Sequence, residues 1–231
     1  MSHPPRVSES RRTGEPVRIL IVDDHPLVRE GIVARLAAET DFVVCGEAAN
    51  VNDAVQLARM TQPTVMIVDL ALQRGESGLD VIKAITKADE VPRPKILVVS
   101  AYEGSRFAER ALRAGAHGYI NKQELQGSMI EAIHAVLRGE IYLNADLTQH
   151  FLLRTRSGGG PAVAEEGLTD RELQVFDLIG RGKSTRAIAE QLGLSVHTIE
   201  THREKIRVKL NLRNGTELMQ RAVRWVLENG Y

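Results

Sequence analysis

The first two thirds of the chain alternate short apolar runs with longer amphipathic stretches. Five runs rich in β-branched residues are typical of parallel strands buried on both faces, and they cover Val17–Val22, Phe42–Cys45, Val65–Val68, Ile96–Val99 and Gly118–Ile120. The stretches between them have helical periodicity and cover Pro26–Glu39, Val51–Thr61, Leu79–Ala88, Arg106–Ala114 and Leu125–Arg138. Five such units predict an α/β fold, a doubly wound five-stranded parallel sheet with right-handed crossovers.

After Tyr142 this alternation stops. The segment Ser157–Pro161 reads Ser-Gly-Gly-Gly-Pro, which is typical of a flexible linker. From Leu168 onward the pattern is helical throughout, and it predicts four helices at Asp170–Ile179, Thr185–Leu192, Val196–Leu210 and Gly215–Leu227. We therefore expect a disordered leader at 1–16, an α/β domain at 17–145, a linker at 146–166 and an all-α four-helix domain at 167–231.

Composition and charge narrow the class of protein. Hydrophobic residues make up 43% of the chain, as in ordinary globular proteins, and no apolar run approaches the roughly 18 residues that a membrane span needs. The single cysteine, Cys45, excludes a disulfide framework, so we expect a cytoplasmic protein without a membrane partner.

The net charge of zero conceals an asymmetry between the two halves. From Val17 to Ala145 acidic residues outnumber basic ones by three, whereas Arg181 to Arg213 holds eight Lys or Arg against three Glu. A basic surface on one half only predicts a polyanionic partner for that half.

Three acidic residues fall where predicted strands end. Asp23 and Asp24 follow the first strand, and Asp69 follows the third. Ligands of open α/β sheets bind at the carboxyl ends of the strands, and clustered carboxylates with no His or Cys nearby select a hard cation such as Mg²⁺. A hydroxyl after the fourth strand, Ser100, and an ammonium after the fifth, Lys122, complete a candidate phosphoryl site. Each residue alone is more typical of a solvated loop or a cap, but the five together favour the site.

These segments resemble the receiver domain of bacterial response regulators, which has a flavodoxin-like fold. The matching strings are ILIVDDHP at 19–26, VMIVD at 65–69, VVSAY at 98–102 and AGAHGYINK at 114–122. The resemblance implies that Asp69 accepts a phosphoryl group from a sensor histidine kinase. It also implies that Asp24 binds Mg²⁺ directly and Asp23 mainly through water, and that Ser100 and Lys122 contact the phosphoryl oxygens. The implied metal ligands are Asp23, Asp24, Asp69 and the backbone carbonyl of Ala71.

The resemblance further implies a switch role for Tyr119, an aromatic residue that turns inward on activation; the alternative is a half-buried aromatic on an edge strand. Two positions depart from the family pattern. The loop after Asp69 places Gly78 one residue later than is usual and lacks the common proline, and Asn121 replaces an apolar residue before Lys122. Neither departure removes a reacting group, but both bear on phosphorylation rates.

Two other functions compete with this interpretation. Haloacid-dehalogenase-type phosphatases also use a strand-end aspartate, but they need a second aspartate two residues later, where this chain has Ala71. We therefore expect no enzymatic turnover. The other alternative is a regulator that responds to a protein or small ligand without phosphorylation, against which the complete set of acids, hydroxyl and lysine argues.

The second half contains two helices joined by a short turn, Gly193-Leu194-Ser195, ahead of a polar, basic helix. Such a helix suits the major groove of DNA, although a generic helical bundle with a charged face is the alternative. The strings LTDREL at 168–173, IA at 188–189, LS at 194–195, TIETH at 198–202 and KL at 209–210 resemble the LuxR-type helix-turn-helix.

A receiver followed by this module resembles the NarL/FixJ class of response regulators. The resemblance implies binding to double-stranded DNA and a homodimer formed on phosphorylation or on DNA. We expect lysines to meet phosphates, and Glu200, Thr201 and Glu204 to reach base edges. The predicted DNA contacts are Lys183, Ser184, Thr185, Ser195, His197, Thr198, Glu200, Thr201, Arg203, Glu204, Lys205 and Lys209.

Overall fold

The structure, a computed structural model, describes residues 15–72, 76–87, 93–102, 105–156 and 167–229. Most of the predicted leader at 1–16 and the glycine-rich segment at 157–161 lie outside these ranges. Among the helices described, none combines the length and the apolar character needed to cross a membrane.

The first half is the predicted doubly wound sheet. Its strands are β1 (Val17–Val22), β2 (Phe42–Ala48), β3 (Val65–Val68), β4 (Lys95–Ser100) and β5 (Gly118–Asn121). Its helices are α1 (Pro26–Leu36), α2 (Val51–Thr61), α3 (Gly78–Lys87), α4 (Ser105–Ala114) and α5 (Leu125–Leu137). The strand order is β2-β1-β3-β4-β5, and all four pairings are parallel, which confirms the predicted fold class.

The sheet is buried on both faces because its strands are apolar at successive positions. In β1, Leu20 and Val22 pack into a cluster with α2, α3 and α4, whereas Ile19 and Ile21 pack into a second cluster with α1 and α5. All four side chains are fully inaccessible to solvent. Because all the described strand pairings are parallel, the carboxyl ends of the strands and the residues after them share one edge of the sheet.

The second half is helical, and it begins with a helix that the pattern did not predict. This helix, α6 (Ala145–Arg156), lies against α4 and occupies part of the segment 146–166 that we had assigned to the linker. The remaining helices are α7 (Asp170–Gly180), α8 (Thr185–Gln191), α9 (Val196–Lys209) and α10 (Gly215–Asn229). Thr169 caps α7 in a reciprocal capping box with Glu172.

The two halves contact each other through α3 and α4 on one side and α7 and α10 on the other. Asp170 Oδ1 lies 2.9 Å from Arg110 Nη1, and its Oδ2 lies 3.3 Å from Lys83 Nζ. Beside these ion pairs, the ring of Trp225 packs edge-on against Phe107, with ring centroids 6.5 Å apart. The interface therefore combines charged and aromatic contacts, and it retains a cavity of about 990 Å³ between the halves.

Gly78, the displaced glycine of the loop after Asp69, is required by close packing. A Cβ atom at this position would lie 1.9 Å from the Asp69 carbonyl oxygen. We expect Gly78→Ala to lower the free energy of unfolding by about 1–3 kcal/mol, because the backbone at Asp69 must move. Urea denaturation measures the change.

Gly31→Ala is the matched control, because Gly31 lies in the interior of α1 and a Cβ atom added there would have no atom of the described residues within 4 Å. It should instead stabilise the protein by about 0.5–1 kcal/mol through helix propensity. Equal effects of the two substitutions would contradict the packing argument.

Candidate functional site

The acidic site lies at the edge of the sheet where β1 and β3 end. Asp23 and Asp24 directly follow β1, Asp69 directly follows β3, and the two strands are neighbours. The potential ligand atoms of these three residues and of His25 all lie within 4.8 Å of one another. The carboxylates are at most 9% exposed. The expectation that the three acids converge is met, but the expectation that no histidine lies nearby is wrong.

Lys122 holds the cluster together. Its Nζ atom lies 2.7 Å from Asp23 Oδ2 and 2.7 Å from Asp69 Oδ2. Burial raises the pKa of Asp69 to about 6; the ammonium of Lys122 opposes this rise, and the charge of Asp23 adds to it. For Lys122 burial alone would lower the pKa, but the charges of Asp69 and Asp23 raise it, so the ammonium stays protonated.

Ser100 and Tyr119 meet at the backbone of Tyr102. Ser100 ends β4 and is fully buried, and its Oγ accepts a hydrogen bond from the Tyr102 amide at 3.1 Å. The Tyr119 hydroxyl donates to the Tyr102 carbonyl at 2.7 Å. Tyr119 is only 2% exposed, so its ring is turned inward rather than half-buried. Its role as a switch stays a prediction.

The donor set fits a hard divalent cation. Asp24 Oδ1 is buried and lies 2.9 Å from His25 Nδ1, yet among the residues described it accepts no well-directed hydrogen bond. A buried carboxylate oxygen without a donor is a costly arrangement that a cation relieves. The amide of Ala71 donates to Asp69 Oδ1 at 3.1 Å, which places the loop that carries the Ala71 carbonyl beside the same carboxylates.

The unusual Asn121 has a local structural role. Its Oδ1 accepts a hydrogen bond from the Gln123 amide at 2.9 Å and so caps a one-turn 3-10 helix at Lys122–Glu124. This cap directs the chain away from the sheet immediately after β5. The polar residue before the lysine thus fixes the backbone at Lys122 rather than entering the acidic site.

Sequence reasoning missed the contribution of Tyr102. Its ring stacks on Phe107 with centroids 4.8 Å apart, and its backbone joins Ser100 to Tyr119. Burial raises the pKa of its phenol, so the hydroxyl is neutral. The only signal in the sequence was its place two residues after Ser100, inside a string already matched to the family.

The predicted DNA contacts lie on α8 and α9 and just before these helices. Ser184 caps α8 and Ser195 caps α9 through their hydroxyls. Thr185 Oγ1 donates to Glu200 Oε1 at 2.9 Å, which brings the start of α8 beside α9. The predicted contacts that are exposed are Lys183, Ser184, Ser195, His197, Glu200, Thr201, Glu204, Lys205 and Lys209, whereas Thr185, Thr198 and Arg203 are half-buried.

Several of these side chains already have partners within the domain. Lys209 Nζ lies 2.7 Å from Glu172 Oε2, a carboxylate whose pKa burial would raise but which the hydrogen bonds from Lys209 and Thr169 lower. The guanidinium of Arg203 lies 3.6 Å from Glu200. Lys209 therefore links α9 to α7, whereas the Arg203 pair lies within α9.

Comparison with known proteins agrees with the geometry of both sites. The family model described as the response regulator receiver domain matches residues 19–134, and the model described as bacterial regulatory proteins, luxR family, matches residues 166–222. The transcriptional regulatory protein LiaR of Bacillus subtilis (strain 168) is 34% identical over 201 residues, which cover 87% of this chain and 94% of LiaR. The oxygen regulatory protein NreC of Staphylococcus carnosus (strain TM300) is 34% identical over 213 residues, which cover 90% of this chain and 97% of NreC.

Solved structures show the same fold. A LuxR-family two-component response regulator from Aurantimonas sp. SI85-9A1 is 33% identical and covers 62% of this chain and 99% of its own, with a TM-score of 0.56. The RcsB response regulator of Salmonella typhimurium covers 91% of this chain and 98% of its own at 22% identity, with a TM-score of 0.60. The chain belongs to the NarL/FixJ family of response regulators, two-component transcription regulators that join a receiver domain to a LuxR-type helix-turn-helix.

Proposed function

We propose that Asp69 accepts a phosphoryl group from a sensor histidine kinase in the cytoplasm, and that phosphorylation raises the affinity of α9 for specific sites in double-stranded DNA. The observation that carries this proposal is the position of Asp69. Its carboxylate is 2% exposed, lies beside two further carboxylates and is 2.7 Å from the Lys122 ammonium.

In the transfer step, a carboxylate oxygen of Asp69 attacks phosphorus as the phosphorus–nitrogen bond of phosphohistidine breaks. The products are an aspartyl phosphate and an imidazole, which takes a proton from solvent. Lys122 neutralises part of the negative charge on the phosphoryl oxygens, and the Ser100 hydroxyl is available to donate to them.

The acids Asp23, Asp24 and Asp69, with the Ala71 carbonyl, would hold Mg²⁺ at this site, and the bound ion supplies further compensation of phosphoryl charge. We infer no turnover of free phosphoesters, because this chain has Ala71 where haloacid-dehalogenase-type phosphatases have the aspartate that acts as general acid.

Control of DNA binding rests on a shift between two arrangements of the halves. The described arrangement is docked through α3, α4, α7 and α10, and its polar, incompletely filled interface is of the kind that can open. We propose that phosphorylation favours the undocked arrangement and that two copies then bind DNA as a homodimer. In support, RcsB has been solved as dimers bound to DNA.

Asp69→Asn should abolish labelling by acetyl phosphate in the presence of Mg²⁺, because the amide cannot form an acyl phosphate. The adduct on the wild type should be acid-stable and labile to hydroxylamine. Asp41→Asn, the same change at an exposed turn before β2, should leave labelling unchanged. Labelling of Asp69→Asn at full stoichiometry would refute the assignment.

Glu200→Ala should relax base preference at one position of the DNA site rather than lower affinity for every sequence. A carboxylate near the start of α9 can accept from cytosine N4, and a wrong base there should cost about 1–3 kcal/mol. Binding-site selection at fixed salt measures the effect, with Glu190→Ala on the exposed face of α8 as control. If Glu200→Ala selects the same motif with the same stringency throughout, Glu200 does not read a base.

Lys205→Ala should weaken binding to all sequences alike, because its exposed ammonium is expected to meet a phosphate. The slope of log K against log salt should fall in magnitude by about one. Lys87→Ala removes the same charge from α3 of the receiver and should leave the slope unchanged. An unchanged slope for Lys205→Ala would exclude the phosphate contact.

A further inference from the structure

Helix α7 buries an unusual set of polar side chains. Every residue from Arg171 to Ile179 is buried, and buried polar groups require hydrogen-bond partners. Glu172 is satisfied by its capping box and Lys209, and Asp177 pairs with Arg181 at 2.8 Å. The partners of Arg171 and Gln174 include groups far from α7 in the chain.

These two side chains connect the receiver to the turn of the helix-turn-helix. Gln174 Nε2 donates a long hydrogen bond of 3.5 Å to the carbonyl of Leu70, the residue after Asp69. Arg171 Nη1 donates to Gln174 Oε1 at 2.8 Å, and Arg171 Nη2 donates to the Leu192 carbonyl at 2.8 Å. Leu192 directly follows α8 as its C-cap residue and lies three residues before Ser195, the cap of α9.

In the receiver, one peptide group connects the Gln174 hydrogen bond to the Asp69 carboxylate. The peptide between Leu70 and Ala71 presents its carbonyl to Gln174 and its N–H to Asp69 Oδ1, at 3.1 Å. Because the peptide group is planar, a rotation that moves the N–H also moves the carbonyl. The same carbonyl accepts a hydrogen bond of 3.1 Å from the Gly78 amide, which ties it to the start of α3.

We propose that Arg171 and Gln174 are positioning residues that couple the state of Asp69 to the geometry of the turn before α9; this inference rests on the proposed function. Phosphorylation changes the charge and the bonding of the carboxylate that holds the Ala71 N–H. The shared peptide group then turns, Gln174 loses its acceptor, and the docked arrangement loses a contact that the undocked arrangement does not need.

The position of α9 supports coupling through the interior of the domain. In the docked arrangement the side chains expected to read DNA, Glu200 and Thr201, are exposed, so the receiver does not cover them. Arg171 is itself only 6% exposed, and its Nε has no hydrogen-bond partner in the part of the chain that the structure describes. Once Gln174 is displaced, the Nη1 group of Arg171 also loses its acceptor. The buried guanidinium then has further unsatisfied N–H groups, which destabilises the docked arrangement.

Gln174→Glu tests the proposal because it separates the two contacts of this side chain. The glutamate still accepts from Arg171, but it presents a carboxylate oxygen to the Leu70 carbonyl, which repels it. Gln220→Glu is the matched control, since it makes the same change on the exposed face of α10. Two measurements are made on the full chain: the affinity for beryllofluoride with Mg²⁺, and the affinity for selected DNA without any phosphodonor.

The first measurement uses the fluorescence of Trp225, the only tryptophan of the chain, which is 3% exposed at the interface. We expect Gln174→Glu to bind beryllofluoride more tightly and DNA more tightly, each by at least about fivefold, because both ligands favour the undocked arrangement that the substitution populates. Gln220→Glu should match the wild type. A purely structural role for Gln174 in the helical domain would not change beryllofluoride affinity at the receiver.

The inference is overturned if the wild type responds to beryllofluoride while Gln174→Glu has wild-type affinities in both measurements. A wild type that shows no response to beryllofluoride overturns the proposed function and this inference together, so the two failures are distinguishable. If Gln174→Glu does not fold, Gln174→Met removes both hydrogen bonds without adding charge. It must shift both affinities in the same direction, or the proposal is wrong.

Discussion

The structure depends on the electrostatic imbalance at the carboxyl edge of the sheet. Three buried carboxylates have ligand atoms within 4.8 Å of one another, and the Lys122 ammonium pairs with two of them, Asp23 and Asp69. At an effective dielectric constant near 20, two like charges 5 Å apart repel by about 3 kcal/mol. The site therefore gains stability from any added cation.

Much of this edge could be predicted from the sequence because it follows from local pattern. The apolar runs of β1 and β3 match the observed strands residue for residue, and in a parallel sheet the residues after neighbouring strands must converge. The hydrophobic pattern predicted the bounds of strands and helices less accurately where polar residues extend them. Strand β2 extends through Gly46 and Glu47 to Ala48, and α6, in which only Leu147 among the described side chains is buried, lies mostly where the pattern predicted a linker.

The polar contacts between the halves could not be predicted, because the residues that make them look like the solvated face of a helix. Arg171 and Gln174 lie three apart on α7, which is the spacing of an ordinary surface pair. The acceptor of Gln174 is 104 residues away in sequence, and that of Arg171 is 21 residues away. Nothing in the local pattern distinguishes these residues from exposed ones; their burial follows from tertiary packing, which brings Leu70 and Leu192 against α7.

Regulation is possible because each polar contact across the interface contributes only a small free energy of docking. A hydrogen bond as long as that of Gln174 contributes little to stability, and the ion pairs of Asp170 are partly exposed. A coupling free energy of about 1–3 kcal/mol is enough to link two sites. The loss of one such contact, together with one unsatisfied guanidinium, can supply a free energy of that size. A tighter, wholly apolar interface would resist the change in charge at Asp69. The polar interface instead keeps the docked and undocked arrangements close enough in free energy for one phosphoryl group to decide between them.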